Sequence, residues 1–207
     1  MSATPGWRLR LKAQPDFRVD FGGVLPARLA GMTADEVARL EVGHVNARLA
    51  LGELFDIAAL AEGGGECTAE LRIEGDLSRF DAIGQGLDGG VLNIDGAVGD
   101  RLGLAMRAGE IRVEGAAGQL AGCEMAGGSI EIAGDVGDFA AGALPGSMDG
   151  MRGGQLVVAQ HLQVVQPPGQ QAEAQQHHQR RHAQPQAKAH QLGFEVADLG
   201  HHWVTPP

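Results

Sequence analysis

Positive charge is scarce in this chain. Sixteen Lys and Arg face 26 Asp and Glu, which leaves a formal net charge of −10 and a pI near 5.2. That balance argues against nucleic acid and against an anionic membrane surface as primary partners. No run of 18 apolar residues occurs, so no membrane span is expected. The opening MSATPGWRLRLKAQPDF has no apolar core followed by a cleavage site, which excludes a secretory signal there. Only two cysteines are present, Cys67 and Cys123. They stand almost three repeat units apart, beyond disulfide reach in a β-solenoid, and read as reduced, apolar-packed thiols of a cytoplasmic protein.

Side chains that do chemistry are equally sparse. His44 is the single histidine before residue 160, and no Ser/His/Asp or Cys/His set and no metal-ligand cluster is visible there. No catalytic residue is therefore expected. The run Gly63-Gly64-Gly65 is followed by neither a helix pattern nor Gly-Lys-Ser/Thr, so it is not expected to cradle phosphate.

What the chain has in abundance is glycine, placed periodically. The units LNIDGAVGDRLGLAMRAG from Leu92, IRVEGAAGQLAGCEMAGG from Ile111 and IEIAGDVGDFAAG from Ile130 open alike. Strand-end glycines Gly96, Gly115 and Gly134 are 19 residues apart, and so are closing glycines Gly90, Gly109 and Gly128. Met106 and Met125 keep the same spacing. An earlier unit starts at Leu71 with its glycine at Gly75, and a later one at Leu156 follows Met151 and Gly154 after a seven-residue insertion. A fixed period near 20 residues is the mark of a solenoid. The alternation inside each unit has period two, hence a strand. Residues 63–159 hold 24 of the 33 glycines, which excludes a helical solenoid.

The expected interior ladders are Leu71/Leu92/Ile111/Ile130/Leu156 and Ile73/Ile94/Val113/Ile132/Val158. Two buried aliphatic residues contribute roughly 3–6 kcal/mol, too little to order a coil of about 19 residues alone, so the coils must stack. Outward, Arg72/Asn93/Arg112/Glu131 and Glu74/Asp95/Glu114 form charged rows. Two readings stand: a solvated acidic face, or a docking stripe for a basic partner. Asp76, Asp100, Asp135 and Asp138 lie near repeat glycines, but the period is not that of calcium-binding β-helices and no metal site is expected. The insertion Ala141–Gly154 projects Leu144, Pro145 and Met148, read either as a tolerated loop or as a partner contact.

The flanks differ from the repeat. Residues 1–62 read as a small α+β N-terminal cap. It has a strand WRLRLK from Trp7, paired as a hairpin with DFRVDF across Gln14-Pro15, and a capping box at Thr33 and Glu36 with the helix stopped by Gly43. An extended segment with a turn at Gly52-Glu53 completes it. Residues 63–159 are the repeat domain. Residues 160–207 carry 11 of 15 glutamines and seven of eight histidines, with His178 and His182 at i, i+4 and no third ligand at motif spacing. This Gln/His-rich tail reads as disordered or aberrant.

The tandem GGVLNIDGAVGDRLGLAMRAGEIRVEGAAGQLAGCEMAGGSIEIAGDVGDFAAGALPGSMDGMRGG resembles the C subunit of formylmethanofuran dehydrogenase. The likeness is greatest to the version in the bacterial formyltransferase/hydrolase complex of methylotrophs. GALPG followed by GMRGG, and LGELF at Leu51–Phe55 after GHVN at Gly43–Asn46, carry the more specific part. The repeat alone also occurs in the C-terminal domain of the glutamate synthase large subunit. The resemblance covers roughly residues 5–159 and departs at Gln160, where family members continue with further coils.

It implies a mainly β fold, a right-handed β-helix, in a non-catalytic structural subunit for tetrahydromethanopterin-linked one-carbon metabolism. Formyltransferase and amidohydrolase-like subunits would be its partners and would do the chemistry, with a molybdenum or tungsten subunit added in archaeal complexes. No cofactor is expected on this chain itself, though the complex uses a methanofuran-type cofactor that the C subunit helps to hold. The competing expectations are a glutamate-synthase-like coupling domain and a free-standing β-solenoid binding module. The isolated chain is expected to be poorly soluble, because its last coil exposes a strand edge.

The repeat stops in mid-strand, between Val158 and the glycine due at Gln160, which suggests a shifted reading frame from residue 160. Translating the coding DNA beyond codon 159 in the other two frames should yield further apolar-x-apolar-x-Gly coils; their absence from both removes the idea.

Overall fold

A computed structural model describes residues 6–44, 47–60, 69–159 and 163–165. All lie within one compact unit, residues 1–167. The alternation in each repeat becomes a strand with its aliphatic residues inside. These strands are β6 (Glu70–Glu74), β8 (Asp88–Asp95), β9 (Ala108–Val113), β10 (Ala126–Ile132) and β11 (Gly153–Val158). Neighbours pair in parallel, and the register sets Leu71, Leu92, Ile111, Ile130 and Leu156 in one row and Ile73, Ile94, Val113, Ile132 and Val158 in the next. All ten are buried. The expected ladders are therefore the observed ones. The outward rows also hold, with Arg72 against Asn93, Asn93 against Arg112 and Arg112 against Glu131.

A second side of each coil is a one-residue parallel bridge, joining Leu77 to Val98, Val98 to Ala117 and Ala117 to Val136. On a third side the Asp81 carboxylate accepts the Asp100 N–H at 3.0 Å, and the Asp100 carboxylate accepts the Gln119 N–H at 2.9 Å.

The closing glycines are demanded twice. Gly90, Gly109, Gly128 and Gly154 have φ of 88°, 91°, 85° and 87°, in the left-handed region. A Cβ on Gly109 would also lie 2.7 Å from the Gly90 carbonyl oxygen, and one on Gly154 2.7 Å from that of Gly128. At the strand ends, Gly75 and Gly96 have positive φ, whereas Gly115 and Gly134 are required by contact alone. Met106, Met125 and Met151 are buried beneath the closing turns.

The N-terminal region departs from expectation in two ways. Strand β1 (Trp7–Leu11) pairs parallel with β6 and antiparallel with β5 (Phe55–Ala59), not as a hairpin with the following strand. Trp7 and Leu9 stand opposite Leu71 and Ile73, so β1 extends the interior ladders by one level, and burying that face outweighs a local hairpin. The next strand, β2 (Val19–Asp20), joins a second sheet in the order β4-β3-β2-β7. There β3 is Glu41–His44, β4 is Ala47–Ala50 and β7 is Phe80–Asp81.

Of the short helices α1 (Pro26–Leu29), α2 (Ala34–Ala38) and α3 (Leu51–Leu54), α2 carries the expected capping box at Thr33 and Glu36. The Thr33 backbone N–H and hydroxyl hold the Glu36 carboxyl below its usual pKa. That stabilisation is present above the unfolded value of 4.5 and is lost as pH falls through the lower folded value. The helix ends at Arg39, and Gly43 lies inside β3 instead of stopping it. Phe21, Phe55 and Phe80 lock this region onto the first coil, with ring centroids 5.5–5.6 Å apart. The Trp7 indole N–H donates to the Leu29 carbonyl at 3.0 Å.

At the other end β12 (Gln163–Val165) pairs antiparallel with β11. The edge of the last repeat strand is thus covered, against the expectation of an open one. Gly63–Gly65, Cys67, His178 and His182 lie outside the described residues.

Positive φ recurs at 19-residue spacing without glycine at Ala82, Arg101, Leu120 and Phe139, with φ from 60° to 62°. A third left-handed row runs through Gly86, Ala105 and Glu124. Nothing lies within 4 Å of a Cβ on Gly86, and its equivalents already carry side chains. Gly109→Ala is expected to lower the unfolding free energy by about 3 kcal/mol and Gly86→Ala by about 1 kcal/mol or less, measured by urea denaturation. Equal losses would contradict the contact account.

Candidate functional site

The outward face of the repeat sheet is charged, with a row of basic and polar groups between two acidic rows. A shallow groove of about 480 Å³ crosses it, lined by Arg72, Asn93, Asp95, Arg112 and Glu114. Its arginines are neutralised locally. Arg112 lies 2.6 Å from Glu110, and Arg72 lies 3.5 Å from Glu74 and 4.0 Å from Asp95. Asn93 donates to Glu70 at 2.9 Å. Such exposed pairs are worth little in stability, but they set opposite signs side by side along a strand, Arg112 beside Glu110 and Arg72 beside Glu74.

Beside this groove runs a trough of about 580 Å³, floored by Gly89, Gly90, Gly109 and Gly128 and walled by Val91, Glu110 and Ser129. At Gly90, Gly109 and Gly128 its smoothness follows from coil-on-coil contacts that admit no side chain, whereas a Cβ on Gly89 would meet open space.

A denser cluster sits where the N-terminal region meets the first coils. Asp81 is the one buried charged residue among the described residues. Arg18 Nε lies 3.4 Å from its carboxylate, and Arg18 also donates to Asp100 at 3.0 Å. Arg101 approaches Asp81 at 3.9 Å. Both carboxylates also accept N–H groups from the next coil. Through these contacts the cluster fastens the region around Arg18 to two successive coils.

The insertion is placed as a loop after β10. Pro145 is exposed and Leu144 half-buried, while Met148 is 97% exposed. Phe139, at the left-handed position occupied by Ala82, Arg101 and Leu120 in earlier coils, is 73% exposed. Sequence reasoning passed over Phe139 because it fills a regular slot of the repeat.

Among the described residues no group of three or more His, Cys, Asp or Glu is arranged to hold a metal ion. No described helix is long and apolar enough to cross a membrane. The Cys123 side chain is buried and directed at the Phe139 carbonyl oxygen, 3.7 Å away. Burial first, and the Glu124 carboxylate second, push its thiol pKa up.

No family model matches the sequence. The C subunit of the formyltransferase/hydrolase complex of Methylorubrum extorquens is 37% identical over 94 residues, 45% of this chain and 33% of that protein. The C subunit of molybdenum-containing formylmethanofuran dehydrogenase 1 of Methanothermobacter thermautotrophicus is 36% identical over 94 residues, 44% of this chain and 22% of that protein. The crystal structure of the formyltransferase/hydrolase complex of Methylorubrum extorquens with methylofuran contains a chain that superposes with a TM-score of 0.66 at 37% identity. The match covers 73% of this chain and 55% of that one. The matched stretch thus spans a third or less of these curated relatives.

In a Cys67→Ser background, Cys123 is expected to react with a thiol reagent at pH 8 only as fast as the chain unfolds. Because the folded thiol titrates above its usual 9.0, its contribution to stability should be constant below pH 9.0 and fall as pH rises from there. Prompt labelling of the folded protein would contradict this.

Proposed function

We propose that this chain, a homologue of the C subunits of formylmethanofuran dehydrogenase and of the formyltransferase/hydrolase complex, serves as the non-catalytic structural member of such a complex in one-carbon metabolism. The observation that carries the reading is the superposition on a chain of the Methylorubrum extorquens complex at 37% identity over 73% of this chain.

The reading includes a right-handed β-helix of about 19 residues per coil. Parallel strands joined by crossovers in one sheet are right-handed in about 98% of cases, and the five repeat strands are all parallel. It also includes the partition into an N-terminal cap over 1–62, a repeat domain over 63–159 and a tail from 160.

Catalysis belongs, on this reading, to amidohydrolase-like and formyltransferase subunits, and the location is cytoplasmic. The described residues offer no ligand cluster for a molybdenum or tungsten centre, and Cys123 is enclosed. On this reading such a metal would sit on another subunit. A methanofuran-type cofactor would be used by the complex and held at most along the outer face of this chain. Its grooves offer paired charges and glycine backbone.

The test is replacement of the resident C subunit in Methylorubrum extorquens by the full chain. The chain should co-purify with the other subunits and restore formyltransferase/hydrolase activity. Alanine at Arg112, Asp95 or Glu114 should then change the rate per assembled complex by less than about twofold. A chain that stays alone overturns the subunit reading, and a variant with assembly intact but the rate abolished overturns the non-catalytic part.

A further inference from the structure

Two large apolar side chains are exposed among the described residues, Phe139 and Met148, and they fall on one loop system. Gly142 donates its N–H to the Phe139 carbonyl at 3.0 Å. A Cβ on Gly150 would lie within 3.0–3.5 Å of Ala141, Gly142 and Ala143. The segments carrying Phe139 and Met148 are therefore folded against each other.

They sit beside the last described level of the row of bridges. The row Leu77, Val98, Ala117 is buried at 0–6% exposure, each residue bridged to the next coil. Val136 ends that row half-buried, with no further bridge among the described residues. Leu144 and Pro145 add apolar surface on the same loop.

The rim has one sign. Asp135, Asp138 and Asp149 are exposed, and the stretch from Ala133 to Met151 contains no Lys or Arg. Arg152, the next base along the chain, is taken by Asp149 at 3.4 Å.

From this we infer that Phe139 and Met148 form a docking knob for another protein subunit, one presenting an apolar hollow edged by Lys and Arg. Apolar anchors inside a charged rim are the usual anatomy of a specific interface. The acidic rim selects a basic edge and disfavours a second copy, because two chains of net charge −10 would bring their aspartates together. The inference rests on the subunit reading above and adds to it which end of the solenoid is engaged and the chemistry of what it meets.

The full chain, co-expressed with the A, B and D subunits of the Methylorubrum extorquens complex, supplies the test. Wild type should co-elute with them. The double variant F139S/M148S should bind at least about tenfold more weakly with an unchanged melting temperature, since both side chains are solvent-exposed in the free chain. The charge variant D138K/D149K should also weaken binding. Wild-type affinity should fall as salt rises from about 50 to about 500 mM.

Co-elution of F139S/M148S at wild-type strength overturns the docking knob and leaves the subunit reading standing. Failure of the wild type to co-elute overturns both. A homodimer of the wild type that F139S/M148S disperses replaces the partner subunit by a second copy.

Discussion

The contact on which the rest of this structure depends is backbone lying on backbone at the closing glycines. Parallel strands stack at about 4.8 Å, so each residue meets its equivalent from the coil below. Where the chain enters the strand, the Gly90 carbonyl occupies the space that a Cβ on Gly109 would fill, and Gly128 meets Gly109 in the same way. A side chain there would push two coils apart and open the hydrogen bonds on every side of the stack. The 19-residue period is thus a steric condition repeated at each level. It places Ile111 over Leu92 and Ile130 over Ile111 as firmly as burial does.

That condition explains what could be read from the chain before any coordinates. The interior rows, the outward charge rows and the insertion before Leu156 all follow from counting residues between glycines and aliphatic positions, and each stands where the count put it. What could not be read is what has no period or no characteristic residue. The left-handed row through Ala82, Arg101, Leu120 and Phe139 carries four different residue types, so its strain leaves no mark in the sequence. Strand β1 is separated from β6 by some 60 residues, and its parallel pairing is a non-local choice that a local hairpin signal at Gln14-Pro15 obscured. The Arg18–Asp81–Asp100 cluster is hidden for the same reason, joining positions 63 and 82 residues apart. Of the proposed contact surface, Met148 was visible because the insertion broke the repeat, and Phe139 was not because it obeyed it.

The two ends of the repeat sheet are closed by the same device. At one end β5 runs antiparallel to β1, and at the other β12 runs antiparallel to β11. An antiparallel strand satisfies the edge of the coil it meets without continuing the parallel pairing of the repeat. The bridge side is treated unequally. Near its first level the short parallel pair β2 and β7 brings the N-terminal region against Phe80 and Asp81, and the three-phenylalanine cluster packs there. Its last level, at Val136, has no such element among the described residues.

This inequality decides where a uniform scaffold can be specific. Coils that copy one another present the same groove at every level, and their charges are neutralised by neighbours on the same face, as Arg112 is by Glu110. A partner meeting that face alone would find several nearly equivalent registers, and the energy separating them would be small. Unique recognition requires a place where the period fails. The loop between Phe139 and Met151 is such a place: seven extra residues, two exposed apolar side chains and a one-sign acidic rim coincide there, next to Val136, which has no further bridge among the described residues. A partner anchored there would align its remaining contacts with a single coil, converting a repetitive surface into an addressed one.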